Sequence, residues 1–222
     1  MVSECLEPFI KKPDRPKITI EVELTSICAV SCPGCPRTYR DTDDPKWWWH
    51  KGDMSMEIFE QMLKTFDSKY YSFNLCGCYG DAIFHKNFLG CVDRLIEEDF
   101  LCTLVTSAAN RPAKFWNEFV AKDLSKWNII FSIDGIESNN HLYRRGARWQ
   151  SIQTAVETVG KNYNRFRGLE WKHLVFPYNR DTVSQAREIA EANNFYFNPV
   201  VSTRGEHIYD IKDEKDKHLS LL

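Results

Sequence analysis

The chain has 222 residues, of which 43% are hydrophobic, and a formal net charge of −2. That length suits one domain, slightly short of a complete eight-unit α/β barrel, and the apolar content excludes a disordered chain. Acids and bases are mixed along the sequence with no basic arm or stripe, so charge gives no sign of nucleic-acid binding, and no apolar stretch reaches the length of a membrane span.

The N-terminus, Met1 to Lys17, carries Glu4, Glu7, Asp14 and three prolines and has no apolar core of a secretory signal. A cytoplasmic location is the expectation, and there the eight cysteines should be thiols or metal ligands rather than disulfides. Residues 1–16 read as an extension, 17–205 as the folded domain and 206–222 as a tail, whose charged stretch Asp210–Lys217 is frayed or a short helix.

In chain order, Lys17–Leu24 alternates as a strand, with Ile18, Ile20, Val22 and Leu24 on one face and Thr19, Glu21 and Glu23 on the other. Either the acids face a wet lumen or the strand is an edge with a solvent face. Ser55–Phe66 has helical spacing of Met56, Phe59, Met62, Leu63 and Phe66. A strand over Ser72–Cys76, a helix over Asn87–Glu98 and a strand over Leu101–Thr106 follow. A helix after Pro112 then leads to a strand over Asn128–Ile133. Trp149–Val159 is a helix that Gly160 can end, Leu169–Phe176 a strand, and Thr182 with Gln185 a capping-box pattern before a helix. Phe195–Val201 is the sixth strand. Six strands alternating with helices predict an α/β fold, a partial parallel (β/α)6 barrel, with functional groups gathered at the C-terminal strand ends.

On the loop after the first strand stand Cys28, Cys32 and Cys35, a C-x3-C-x2-C spacing. Thiolates are soft ligands suited to iron–sulfur clusters and to zinc. Three ligands on one tight loop can hold three corners of a cubane and leave one iron open. A structural zinc site would need further ligands, which Cys76 and Cys78 could offer. Otherwise these two are small buried side chains or groups that touch substrate, while Cys5, Cys91 and Cys102 read as core or incidental thiols.

The triplet resembles the signature of the radical S-adenosylmethionine (SAM) superfamily, and the resemblance runs from about Ile18 to Val201. Cys78-Tyr-Gly80-Asp81 through His85 to Phe88 resembles that family's glycine–glutamate motif. Val105-Thr106-Ser107 is similar to its Thr-Asn-Gly stretch, and Phe131-Ser132-Ile-Asp134-Gly135 with His141 and Arg145-Gly146 to its Ser-x-Asp-Gly…His…Arg-Gly pattern. The nearest branch is the molybdenum-cofactor and peptide-modifying (SPASM-type) core, to which the Met54–Phe59 helix start is also similar. With no cysteine after Cys102, the auxiliary-cluster extension of that branch is expected to be absent.

The resemblance implies a [4Fe–4S] cluster on Cys28, Cys32 and Cys35 that binds SAM and cleaves it reductively, giving a 5′-deoxyadenosyl radical that takes a hydrogen atom from a small-molecule, nucleotide or peptide substrate. It implies SAM contacts at Gly80, Asp81, Thr106, Ser132, Asp134 and Arg145, with Arg144 and Arg148 as neighbours able to replace Arg145. The expected electron donor is a flavodoxin or ferredoxin. Three departures stand out. Gly34 occupies the usual aromatic position, leaving Tyr39 or Phe84 for adenine; Asp81 replaces the glutamate; and Thr106-Ser-Ala108 replaces Thr-Asn-Gly. Glu23, Arg37 and Asn179 are further candidates facing substrate, and Trp47–Trp49 with His50 form an aromatic run that packs or binds. A glycyl-radical-enzyme activase and a passive metal-binding scaffold are the competing functions.

Overall fold

In a computed structural model, which describes residues 17–39 and 51–202, six strands form one all-parallel sheet in the order β1 to β6. They are β1 (Ile18–Glu21), β2 (Tyr71–Leu75), β3 (Leu101–Thr106), β4 (Trp127–Ser132), β5 (Gly168–Val175) and β6 (Tyr196–Val201). Each strand pairs with its sequence neighbours, and helices connect them: α1 (Pro36–Tyr39), α2 (Met56–Thr65), α3 (Phe88–Glu97), α4 (Ala113–Val120), α5 (Asn140–Tyr143), α6 (Trp149–Lys161) and α7 (Val183–Ala192). This is the partial (β/α)6 barrel. Trp47–Trp49, His50, Cys5 and the charged tail lie outside the described residues. Among the described residues no helix is long and apolar enough to cross a membrane.

Period-two alternation sorts the strands into two faces. Cys102, Leu104 and Thr106 on β3, Trp127, Ile129 and Phe131 on β4, and Leu169, Trp171 and His173 on β5 are all buried. They meet the helices through aromatic contacts. Trp116 of α4 is edge-on to Phe131 at 5.5 Å, and Phe131 stacks on Phe195 at 5.2 Å. Trp171 donates its Nε1–H to the Ile133 carbonyl at 2.9 Å, whereas the Nε1–H groups of the equally buried Trp116 and Trp127 meet no acceptor. The opposite residues, Thr103, Asn128, Ser132, Glu170 and Lys172 among them, make the inner face polar.

Several local features differ from expectation. β1 is shorter than Lys17–Leu24. Val22 still donates to Asn74, but Leu24 turns to accept from Met54 at 2.8 Å and Thr25 bridges Asp53 antiparallel. Ile18 is 60% exposed, as an edge position is, whereas Val22 and Leu24 are buried. Ser55 caps α2 with its side chain, which accepts the Ile58 N–H. Thr182 does not form the expected capping box: its hydroxyl donates to the Asn179 carbonyl and accepts from Asn139 Nδ2. Gly160 does not end its helix but lies inside α6, where a Cβ would come within 2.3 Å of the Asn193 carbonyl. The missing side chain lets the end of α7 dock on α6.

Gly160→Ala should therefore lower stability by about 1–3 kcal/mol in urea unfolding through overpacking, while Gly52→Ala, with nothing within 4 Å, stays near neutral. His173, buried on β5 and 5.4 Å from the Phe197 ring, has its pKa depressed by burial, against the pull of Asp134 and the Ile133 backbone. As pH falls below about 6.5 the unfolded chain takes this proton and the folded one does not, so stability drops with acidification. Urea midpoints between pH 8 and pH 5 should show a fall that His173→Leu makes shallower.

Candidate functional site

The loops after β1 through β4 converge with the end of β5 on one cavity of about 380 Å³. Cys28, Cys32 and Cys35 all line it, brought there by the loop that follows β1. Cys32 is buried and the other two are half-buried. Arg37, on the first turn of α1, folds back and donates to the carbonyls of Cys28 (3.3 Å) and Val30, which closes the cysteine loop on itself. Cys76 and Cys78 line the same cavity, and the Cys35 thiol lies 3.9 Å from the Cys78 carbonyl. Burial first, then the Asp81 charge, pushes the Cys28 thiol up to about 11, and burial raises Cys32 and Cys76 as well. Left alone, these groups stay neutral thiols; metal charge is what draws such protons off.

Two carboxylates fix the loop after β2. Glu23 Oε1 accepts the backbone N–H groups of Tyr79 (2.7 Å) and Gly80 (2.8 Å). Gly80 itself lies against the cysteine loop, where a Cβ would meet the Thr25 carbonyl at 1.7 Å, and the next N–H, of Asp81, bonds to the Ile27 carbonyl. Asp81 Oδ2 accepts from Thr106 Oγ1 at 2.9 Å, Ser107 N–H at 2.9 Å and Ser107 Oγ at 2.8 Å. Burial raises its pKa while these bonds oppose the rise. The carboxylate thus ties the end of β2 to the end of β3, whose backbone then turns left-handed at Ala108 (φ 56°).

A third acid organises the far wall. Asp134, fully buried, accepts the Arg144 Nε–H at 2.6 Å and the Leu174 N–H at 2.8 Å. Asn179, expected to face substrate, is instead buried, donating to the Asp134 and Leu174 carbonyls and accepting from Phe176 N–H. Arg144 lines the cavity and places Nη1 3.6 Å from the Cys32 sulfur.

Of the expected SAM contacts, Gly80, Asp81, Thr106 and Ser132 line the cavity. Asp134 stands behind Arg144, and Arg145 meets the cysteine loop through its carbonyl, which accepts from Ser31 at 2.9 Å. Phe84 lies under the Arg111 guanidinium rather than in the cavity wall, and the Tyr39 side chain is not among those described. Of the arginines the sequence left open, Arg144 is the one that lines the cavity; sequence reasoning missed the anchoring role of Glu23 and the polar inner face, though the alternation of β3 to β5 carried that last signal.

Among the described residues no three His, Cys, Asp or Glu side chains are grouped so as to hold a metal ion. The three cysteines line the cavity without forming such a group. A cubane takes each thiolate on a different iron, so its ligands do not converge as those of a single zinc do.

No protein-family model matches the chain, and no curated protein matches it. Its fold is shared with SuiB of Streptococcus suis at low identity. SuiB bound to the precursor peptide SuiA gives a TM-score of 0.60 at 10% identity over 82% of this chain and 39% of that one. SuiB bound to S-adenosylmethionine gives 0.53 at 10% identity over 89% and 53%, and a further SuiB structure 0.52 at 9% identity over 87% and 50%. The chain spans about half the length of SuiB or less.

Asp81→Ala should leave the Thr106 and Ser107 donors unpaired in a buried site and cost about 1–3 kcal/mol or more. Urea denaturation checks this, and a loss under half a kcal/mol, on the order of a surface substitution, would contradict the anchoring role.

Proposed function

We propose that this chain is a radical SAM enzyme: Cys28, Cys32 and Cys35 hold a [4Fe–4S] cluster, SAM binds beside it, and a hydrogen atom is abstracted from a bound substrate. The observation that carries the reading is the convergence of all three cysteines with Gly80, Asp81, Thr106 and Ser132 on one cavity at the C-terminal end of a parallel sheet. The donor set fits: three thiols on one loop, none in a disulfide, with a charged donor already at one sulfur. The shared fold of SuiB, which binds SAM in one structure and a precursor peptide in another, supports SAM as cofactor and a peptide as the substrate class.

When bound, the cluster would supply the single electron that cleaves SAM reductively. The chain's residues bind and orient. Arg37 and the Ser31 bond to Arg145 hold the cysteine loop in shape, so the three sulfurs are presented from fixed backbone. Glu23 holds the Cys78–Gly80 loop against them. Asp81 sets the Thr106 hydroxyl and the Ser107 backbone at the cavity wall, leaving Ser132 on the next strand as a hydroxyl open to a ligand. Arg144, rather than Arg145, lines the cavity as a cation. The polar inner face below gives room for a polar substrate. A flavodoxin or ferredoxin in a reducing cytoplasm is the proposed electron source, and unpaired cysteines suit that compartment.

Anaerobic reconstitution with iron and sulfide, then SAM and dithionite, should yield 5′-deoxyadenosine from the parent and none from Cys32→Ala. A parent that loads the cluster yet never cleaves SAM, with candidate peptides present, would overturn the enzyme reading.

A further inference from the structure

Arg144 makes more bonds than a structural ion pair requires. Its Nε–H meets Asp134 Oδ2 at 2.6 Å, and this alone would neutralise the buried carboxylate. The other edge of the planar fork is spent on sulfur: Nη1 lies 3.6 Å from Cys32 Sγ. The aim of that edge is fixed from behind. Asp134 is 0% exposed and its second oxygen accepts the Leu174 N–H. Its own N–H donates to Asn140 Oδ1, and its carbonyl accepts from Asn179. Arg144 follows directly on the one-turn helix α5, whose last residue, Tyr143, lies under the guanidinium at 5.5 Å and packs on Phe176 at 4.7 Å. The guanidinium is thus held against the cysteine loop by contacts on β5, α5 and the β4 end, in a place where it is only 17% exposed.

We propose that Arg144 is a positioning residue that raises the reduction potential of the cluster carried by Cys28, Cys32 and Cys35, by donating a charge-assisted hydrogen bond to the Cys32 sulfur while Asp134 fixes its direction. The inference rests on the cluster reading above. In the redox step the oxidised cluster takes one electron from an external low-potential reductant; no bond forms or breaks, and no proton is required. The reduced cluster is the more negative, so its thiolate sulfurs are the better acceptors, and a donor aimed at one of them stabilises the reduced state over the oxidised state. Low exposure keeps water from supplying the same bond when the arginine is removed.

The test compares three reconstituted proteins: the parent, Arg144→Lys, and Arg144→Met combined with Asp134→Asn. The double variant removes the donor without burying a lone carboxylate, and the pair's net charge is zero before and after, so a shift reports the bond to sulfur. Iron and sulfide content establishes loading, and dithionite titration followed by visible absorbance and electron paramagnetic resonance reads the midpoint. We expect equal loading, the most negative midpoint in the double variant and an intermediate one in Arg144→Lys. Equal midpoints in all loaded proteins overturn the proposal. Should the double variant take up no iron, Arg144→Lys decides: a midpoint equal to the parent's overturns it and a more negative one supports it. A parent that takes up no iron at all overturns the cluster reading instead, and this is seen before any variant is compared.

Discussion

A carboxylate taken out of water must be met by donors, and at the C-terminal end of this sheet Asp81 and Asp134 are both buried. Each is answered by groups from another strand end. Asp81, after β2, collects Thr106 and Ser107 at the end of β3, and Asp134, after β4, collects Leu174 on β5 and Arg144 beyond α5. Glu23 does the same between β1 and the loop after β2. Neighbouring strands in a parallel sheet are already joined by their ladders, but the loops beyond them are not. These acids extend the sheet's order past the last ladder bond, and that places the three cysteines on a rigid wall.

Backbone approach is the second determinant, and it is steric. Gly80 sits so close to Thr25 that any side chain would displace the cysteine loop from the β2 loop. Glu23 can reach the Tyr79 and Gly80 amides only because that contact is made, so the glycine and the glutamate act on the same joint. The motif glycine therefore has a role as structural as it is ligand-facing. Ala108 shows the reverse situation: a side chain retained at a left-handed backbone position, a conformation costing about 1 kcal/mol for a non-glycine residue, and tolerated where Asp81 holds the two residues before it.

Much of the fold was legible because periodicity is a local property. β3 spans the expected Leu101–Thr106 without change, and α2 and α3 lie within a residue or two of their predicted ends, with Ser55 and Asn87 as caps. What could not be read involves partners distant in sequence. Gly160 has the composition of a helix stop but lies inside α6, its missing side chain leaving room for a carbonyl at the far end of α7, and the Thr182 hydroxyl accepts from Asn139 and donates to Asn179 rather than capping its own helix. β1 ends early because the segment around Gly52–Met54 competes for its outer half. In the site, C-x3-C-x2-C spacing marked three cysteines that the fold brings to one cavity, whereas the work of Glu23 is done 56 residues away and has no local trace.

The choice between Arg144 and Arg145 shows where motif reasoning gives way to geometry. Arg144 leaves α5 on non-helical backbone (φ −83°, ψ 62°), and of the two consecutive arginines it is Arg144 that lines the cavity. Gly135 decides which. The Asn139 side chain and Asn140 backbone pack where its Cβ would be, within 2.3–2.6 Å, and this draws the single turn of α5 tight against the end of β4. With α5 seated there, Arg144 emerges over Asp134 and Arg145 is left to offer its carbonyl to Ser31. The arginine that faces the cysteines is therefore set by a glycine nine positions earlier, and a change at Gly135 would move the guanidinium away from the sulfur without touching either residue.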